Sequence, residues 1–259
     1  TDWLEKNLDK VKIIDCSWHM PQTKRNGLEE YKEKHIPNSI FFDLDKNSKK
    51  KTNLPHMLVS LDEWEEIISE MGITNDDQII IYDNSDVISA CRCWYNLIYF
   101  GHKPELVKVL NGGFNKWLNE NKAINSKIPK FNKTNYKAIE IKNLVKDKKE
   151  INENITKRIF HVIDARSIER FNGEVKEPRD GLRSGHIKNS ICIPFSRFIN
   201  SDKTFKKQDE IIKIFSENLE NIKSDSVVFS CGSGVTACVL ALAYSLINDK
   251  YLPKIYDGS

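Results

Sequence analysis

The chain has 259 residues, a length that suits one large or two medium domains with ample core and no need of disulfide staples. Its 40 basic and 37 acidic residues nearly balance at a net charge of +3, which gives no reason to expect nucleic acid or a membrane surface as a partner. No apolar run approaches membrane-spanning length, and the six cysteines form neither a C-x-x-C pair nor a ladder, so a reducing, cytoplasmic compartment is expected and no metal site is.

Taken in chain order, Lys12 to Ile14 reads as a short strand closing on Asp15. Leu61 to Met71 carries Trp64, Ile67 and Ile68 at helical spacing, and Gln78 to Tyr82 is a second apolar strand. Ala90 to Phe100 reads as a helix stopped at Gly101, followed by a strand over Val107 to Leu110 and, after Asn111-Gly112-Gly113, a helix over Phe114 to Leu118. Residues 122–136 are rich in Lys, Asn and Pro without apolar period, which predicts a linker. Phe160 to Ile163 and Val227 to Phe229 are further strands, the latter fully apolar and so expected in the middle of a parallel sheet. Val235 to Ile247, apolar on nearly every side, reads as a buried helix.

The sequence repeats. Asp77-Gln-Ile-Ile-Ile-Tyr-Asp83 matches Asp225-Ser-Val-Val-Phe-Ser-Cys231 without a gap, His35-Ile-Pro-Asn-Ser-Ile matches His186-Ile-Lys-Asn-Ser-Ile, and Asp15 matches Asp164, all in one order at nearly one spacing. The chain is therefore expected to be a duplicated α/β domain, each copy a mainly parallel sheet flanked by helices, with domains at 1–121 and 137–259. His35 and His186 recur in both copies and read as structural.

One loop stands apart. Strand 227–229, the glycine-bearing Cys231-Gly232-Ser233-Gly234 and the helix from Val235 aim backbone N–H groups and the positive end of a helix dipole at one point, which favours a thiolate. Most free cysteines are small core residues, and Cys91, Cys93, Cys192 and Cys238 read that way; Cys231 reads as a nucleophile. The first copy has Asp83 at the matching place, so thiol chemistry belongs to the second.

Cys231-Gly-Ser-Gly-Val-Thr-Ala-Cys238 resembles the active-site loop of the rhodanese superfamily, within it the mercaptopyruvate sulfurtransferases. Asp164-Ala-Arg-Ser, Arg170-Phe, Glu177-Pro-Arg-Asp-Gly181 and Ser184-Gly-His186 resemble that family's second domain. Phe41-Phe-Asp-Leu-Asp45, His56-Met-Leu58 and Asn111-Gly-Gly113 resemble its first. The resemblance implies two tandem rhodanese-like domains and transfer of sulfur from 3-mercaptopyruvate through a Cys231 persulfide to thioredoxin, a small thiol or cyanide, with no metal or organic cofactor. It implies that Gly232, Gly234, Val235 and Thr236 complete the loop that cradles the persulfide. It assigns the substrate carboxylate to Arg170 and Arg179, with Arg183 as a substitute, since arginine binds carboxylates by paired hydrogen bonds. Ser233, His56 and Asp45 are implied as a proton-relaying trio that draws on both domains. Val59 departs from the family's proline and is expected to loosen the His56 loop. A short segment after Ser259 is also implied, and a mitochondrial location is the alternative to a cytoplasmic one.

Thiosulfate is the rival donor. The enzymes specific for it typically carry basic residues at the two positions held here by Gly232 and Ser233. A phosphatase on the same fold would need an arginine near Ala237 or Cys238, and a docking module would not need the cysteine.

Overall fold

Short β-branched runs bounded by turn residues become parallel strands in both halves of the chain. The computed structural model describes residues 1–179, 181–220, 227–248 and 254–258. Asp180, Asp225 and Ser226, quoted in the motifs above, lie outside the described residues. Two compact units emerge, Thr1–Lys142 with Ser201–Thr204, and Asn143–Asn200 with Phe205–Ser259.

The first unit runs α1 (Asp2–Glu5), β1 (Lys12–Asp15), α2 (Gly27–Glu33), β2 (Ser39–Phe41), α3 (Leu61–Glu70), β3 (Ile79–Tyr82), α4 (Ala90–Tyr99), β4 (Val107–Val109) and α5 (Gly113–Asn119). Its strands pair in parallel in the order β2-β1-β3-β4. The second runs β5 (Val145–Lys146), α6 (Lys148–Lys157), β6 (His161–Asp164), α7 (Ile168–Asn172), β7 (Ile191–Cys192), α8 (Gln208–Ser216), β8 (Val227–Ser230), α9 (Val235–Ser245) and β9 (Ile255–Tyr256). Its order, β7-β6-β8-β9-β5 read from the opposite edge, repeats that of the first with one strand added. The expected α/β duplication is thus visible as topology.

The central strands β3 and β8 are buried along their whole length, as their unbroken apolar runs predict. Ile13, Ile80, Tyr82, Phe114 and Trp117 form one cluster on the first sheet. Ile151, Val162, Val228 and Tyr256 form one on the second. Helix α4 is buried at every residue, and α9 at all but three.

Residues 122–136 lie along the first unit. His35 and Asn125 exchange main-chain hydrogen bonds of 2.8 Å, Thr134 N donates to Ser69 O and Tyr136 N to the Ser69 hydroxyl. Cys91, Cys93 and Cys238 are core, whereas Cys192, expected there too, is only half-buried because its strand is at a sheet edge. No helix among the described residues is long and apolar enough to cross a membrane.

Candidate active site

β8 ends at Ser230 and α9 begins at Val235, so four residues turn the chain between them. Gly234 closes the turn at φ +76°, a left-handed conformation that a side chain disfavours. This geometry points two backbone donors at one sulfur: Gly234 N lies 3.1 Å and Ser233 N 3.5 Å from Cys231 Sγ. Both donors stand at the N-terminus of an 11-residue helix, and together they make a cradle for a negative charge. Val235 and Thr236 form the first turn of that helix, Val235 with its side chain in the core.

Two guanidinium groups close on the loop. Arg179 donates through Nη2 to the carbonyl of Gly232. Arg170, on α7, stands where a Cβ on residue 232 would come within 2.9 Å of its Nη2 and within 3.9 Å of Arg179 Nη2. The absence of a side chain at Gly232 is therefore what lets Arg170 approach, while Arg179 stands at ordinary contact distance. Burial lowers the Arg179 guanidinium from its usual value, while Cys231 and Glu177 pull the other way.

Arg170 is held in turn by Glu177, with Nη2 at 2.5 Å from Oε2 and Nε at 3.3 Å from Oε1. Arg166 grips the same carboxylate through Nη1 at 2.8 Å, and turns its other face to both oxygens of Asp164. Burial would raise the Glu177 carboxyl, but the hydrogen bonds and charges of Arg170 and Arg166 outweigh it and hold the group below the usual carboxylate range. A cavity of ≈ 260 Å³ opens beside Cys231, lined among others by Arg179, Arg183, Leu182 and Tyr256. His186 is structural as expected: Nδ1 lies 2.8 Å from Phe171 O and its ring stacks on Phe171 at 3.9 Å.

In the first unit, Asp45 and His56 are paired, Oδ1 to Nε2 at 2.9 Å. The His56 hydrogen bond is the main cause that lowers the Asp45 carboxyl from its usual value, against the opposing effect of burial. His56 is only 4% exposed and has φ +58°, a strained backbone for a non-glycine residue. Its loop is pinned rather than loose: Arg92 Nη2 donates to His56 O at 2.6 Å, Lys49 N to Met57 O, and Val59 is buried. Asp83 occupies the loop position of Cys231. Its carboxylate accepts from Ser89 N at 2.8 Å and from the Ser85 hydroxyl, and burial raises its pKa. His35 bonds Tyr31 O and Lys127 O, a structural role within its own unit.

The structure thus gathers Cys231, Gly232, Ser233, Gly234, Arg170 and Arg179 around one loop, and pairs Asp45 with His56. Glu177 and Arg166, which orient Arg170, were not singled out from the sequence; their signal was the Asp-Ala-Arg and Glu-Pro-Arg spacing. Among the described residues no group of three or more His, Cys, Asp or Glu side chains is placed to hold a metal ion.

The rhodanese-like domain family matches residues 1–120 and 146–259. The Arabidopsis thaliana mitochondrial thiosulfate/3-mercaptopyruvate sulfurtransferase 1 is 38% identical over 100% of this chain and 73% of its own length. The Mus musculus 3-mercaptopyruvate sulfurtransferase is 37% identical over 96% and 83%. The crystal structure of SseA from Escherichia coli, described as a 3-mercaptopyruvate sulfotransferase, superposes with a TM-score of 0.88 at 31% identity, covering 100% of this chain and 96% of that one. With its two parallel-sheet units and a cysteine loop in the second, the chain belongs to the rhodanese family, as a two-domain member related to its mercaptopyruvate and thiosulfate sulfurtransferases.

Proposed function

We propose that the protein transfers sulfur from 3-mercaptopyruvate to a thiol or cyanide acceptor through a Cys231 persulfide. The observation that carries this reading is the pair of N–H donors on Cys231 Sγ with two guanidinium groups beside them and no side chain at Gly232. The Cys231 thiolate attacks the substrate sulfur. The S–S bond forms, the C–S bond breaks, and its electron pair leaves as the enolate of pyruvate, which is then protonated. The outer sulfur of the persulfide is next attacked by an acceptor thiolate, giving an acceptor persulfide, or by cyanide, giving thiocyanate, and the Cys231 thiolate returns.

The cradle that holds the thiolate serves the persulfide equally, since both carry one negative charge at the loop's centre. The substrate's α-keto carboxylate falls to Arg170 and Arg179. Glu177 takes up Nε and one Nη2 hydrogen of Arg170, and the remaining hydrogens are those offered to the substrate. Ser233 is assigned the substrate carbonyl, and the His56–Asp45 pair the proton that quenches the enolate. The relatives' names support mercaptopyruvate as donor, and the Arabidopsis relative's name includes thiosulfate too. Against thiosulfate as the main donor stands the absence of charge at Gly232 and Ser233, which leaves a dianion without the extra cations it requires. Thioredoxin and small thiols are the proposed acceptors, and the cytoplasm the proposed compartment, which cell fractionation would test.

Steady-state turnover with 3-mercaptopyruvate and with thiosulfate, using one common acceptor, tests the reading. Mercaptopyruvate is expected to win by about a hundredfold in kcat/KM, the scale at which two well-placed polar contacts discriminate. A preference for thiosulfate would overturn the donor assignment and leave the fold untouched.

A further inference from the structure

Behind the His56–Asp45 pair lies a third side chain. Trp18 Nε1 donates to Asp45 Oδ2 at 3.1 Å, so the carboxylate is held at both oxygens, one by the imidazole and one by the indole. The Trp18 ring also meets the His56 ring nearly at right angles, 83°, with centroids 4.8 Å apart. With Asp45 ionised, the hydrogen of a neutral His56 sits on Nε2, and Nδ1 keeps its lone pair. That Nδ1 atom is buried and has no hydrogen-bond partner among the described residues. A buried imidazole nitrogen left bare is costly unless it has a task, and the bond to Asp45 fixes which nitrogen that is.

Trp18 has its own anchor, and it is the loop that carries Asp83 where the second unit has Cys231. Trp18 N donates to the Ser89 hydroxyl at 3.1 Å, and the same hydroxyl donates to Cys16 O at 2.6 Å. At the loop's other end Asn84 N donates to the Ser17 hydroxyl at 2.8 Å. Ser89 itself is fixed by Asp83, whose Oδ2 accepts from Ser89 N. The loop therefore grips residues 16–18 at three points, and from there one indole reaches both members of the pair.

We infer that Trp18 is a positioning residue for the His56–Asp45 pair, and that the Asp83–Ser89 loop of the first unit serves as its mount. The inference rests on the proposed role of His56 as proton carrier. By holding Oδ2, Trp18 presents Oδ1 to Nε2, and by standing edge to face it stops the imidazole from swinging. Nδ1 is thereby kept as the basic atom.

The test is a double-mutant cycle on the full chain, with 3-mercaptopyruvate as donor. Trp18→Phe keeps a ring against His56 and removes the N–H. It is expected to lower kcat about tenfold with KM unchanged, the size of one hydrogen bond to a charged group. In a His56→Ala background the same change is expected to cost nothing further, because the group it positions is gone. A purely structural tryptophan would instead lower melting temperature and give the same fold-loss in both backgrounds. If Trp18→Phe does not fold, its benzothienyl analogue, with sulfur in place of the indole N–H, asks the same question in the same cycle. Full activity of Trp18→Phe, or losses that multiply in the double variant, overturns the inference while the His56 reading stands. Full activity of His56→Ala overturns both.

Discussion

Two loops occupy the same place in two copies of one fold, and they differ in what sits at the centre. After β8, Cys231 takes hydrogen bonds from the N–H groups of Ser233 and Gly234, two and three residues on, and the residue stays 5% exposed beside a cavity. After β3, Asp83 takes hydrogen bonds from Ser85 and Ser89, and its charge is consumed inside its own loop. The cations differ too. Arg179 reaches the carbonyl of Gly232 and lines the cavity beside Cys231, whereas Arg25 of the first unit, which reaches the matching carbonyl of Asn84, is clamped by Glu30 through two bonds of 2.7 Å. An anion site becomes a catalytic site only when its donors and cations are left facing a void. When a side-chain carboxylate fills the void, the same loop becomes a mount.

The most severe way to break this comparison is to move the thiol. Cys231→Ser is expected to lower mercaptopyruvate turnover by about a thousandfold or more, since an alcohol at neutral pH neither ionises nor holds a persulfide. Adding Asp83→Cys to that variant is expected to restore nothing, because Arg25 remains clamped. Measurable turnover in the double variant would show that the cysteine alone distinguishes the units. Next in size is Arg170→Lys, which keeps the charge and loses the fork that serves Glu177 and substrate together. A loss of about a hundredfold in kcat/KM, carried mainly by KM, is expected from replacing a planar fork by a point charge. Wild-type KM in Arg170→Lys would remove this residue from substrate binding.

Much of this was legible in the residues. The strands β1, β3, β4, β6 and β8, the buried α9 and the Cys231 loop follow from apolar runs and glycine placement, which are local signals. The edge strands β2 and β5, the two-residue strands β7 and β9, and the helices α1, α2, α6, α7 and α8 do not, because they are too short or too charged on their exposed faces to leave an apolar run to read. Composition reads 122–136 as a linker, but it does not report hydrogen bonds such as those of Thr134 and Tyr136 to Ser69, which lay that segment along the first unit. Trp18, Asp45 and His56 come from three separate loops with no shared period; the family motifs link Asp45 to His56, and nothing in the sequence adds Trp18 to them. The Arg170–Glu177–Arg166 chain was half visible. Its members lie within a dozen residues of one another, yet only the fold shows that Glu177 faces both arginines.

A subtler difference between the units concerns the aspartate that ends each homologous strand. Asp164 is embraced by Arg166, while at the matching position the first unit has Ser17, which gives Asp15 an N–H at 2.8 Å and no positive charge. Burial without a cation pushes the Asp15 carboxyl up to about 7. A carboxyl whose folded pKa lies above its unfolded value near 3.9 binds more protons when folded, so stability falls as pH rises from about 4 to about 7. Urea melts of wild type and Asp15→Asn at pH 5 and pH 8 isolate this group. The wild type is expected to lose about 2 to 3 kcal/mol more than the variant across that range, by linkage. An equal pH response in both proteins would mean that Asp15 finds a cation the fold does not show.

The smallest expected effect bears most directly on why the cysteine loop is open. A methyl group at position 232 would stand 2.9 Å from Arg170 Nη2, closer than carbon and nitrogen pack, and the atom in its way is the end of a flexible side chain. The backbone there has no need of glycine's left-handed freedom, since Gly232 is absent from the residues with positive φ. Gly232→Ala should therefore fold normally and push Arg170 aside by a few tenths of an ångström, against the grip of Glu177. A misplacement of that size at a substrate-orienting group is expected to cost about tenfold in kcat/KM for mercaptopyruvate. Thiosulfate, which has no carboxylate for the arginines' spacing to match, should lose less, so the donor ratio falls. If Gly232→Ala lowers both donors equally, the glycine acts on the cysteine cradle itself and Arg170 is not what it makes room for.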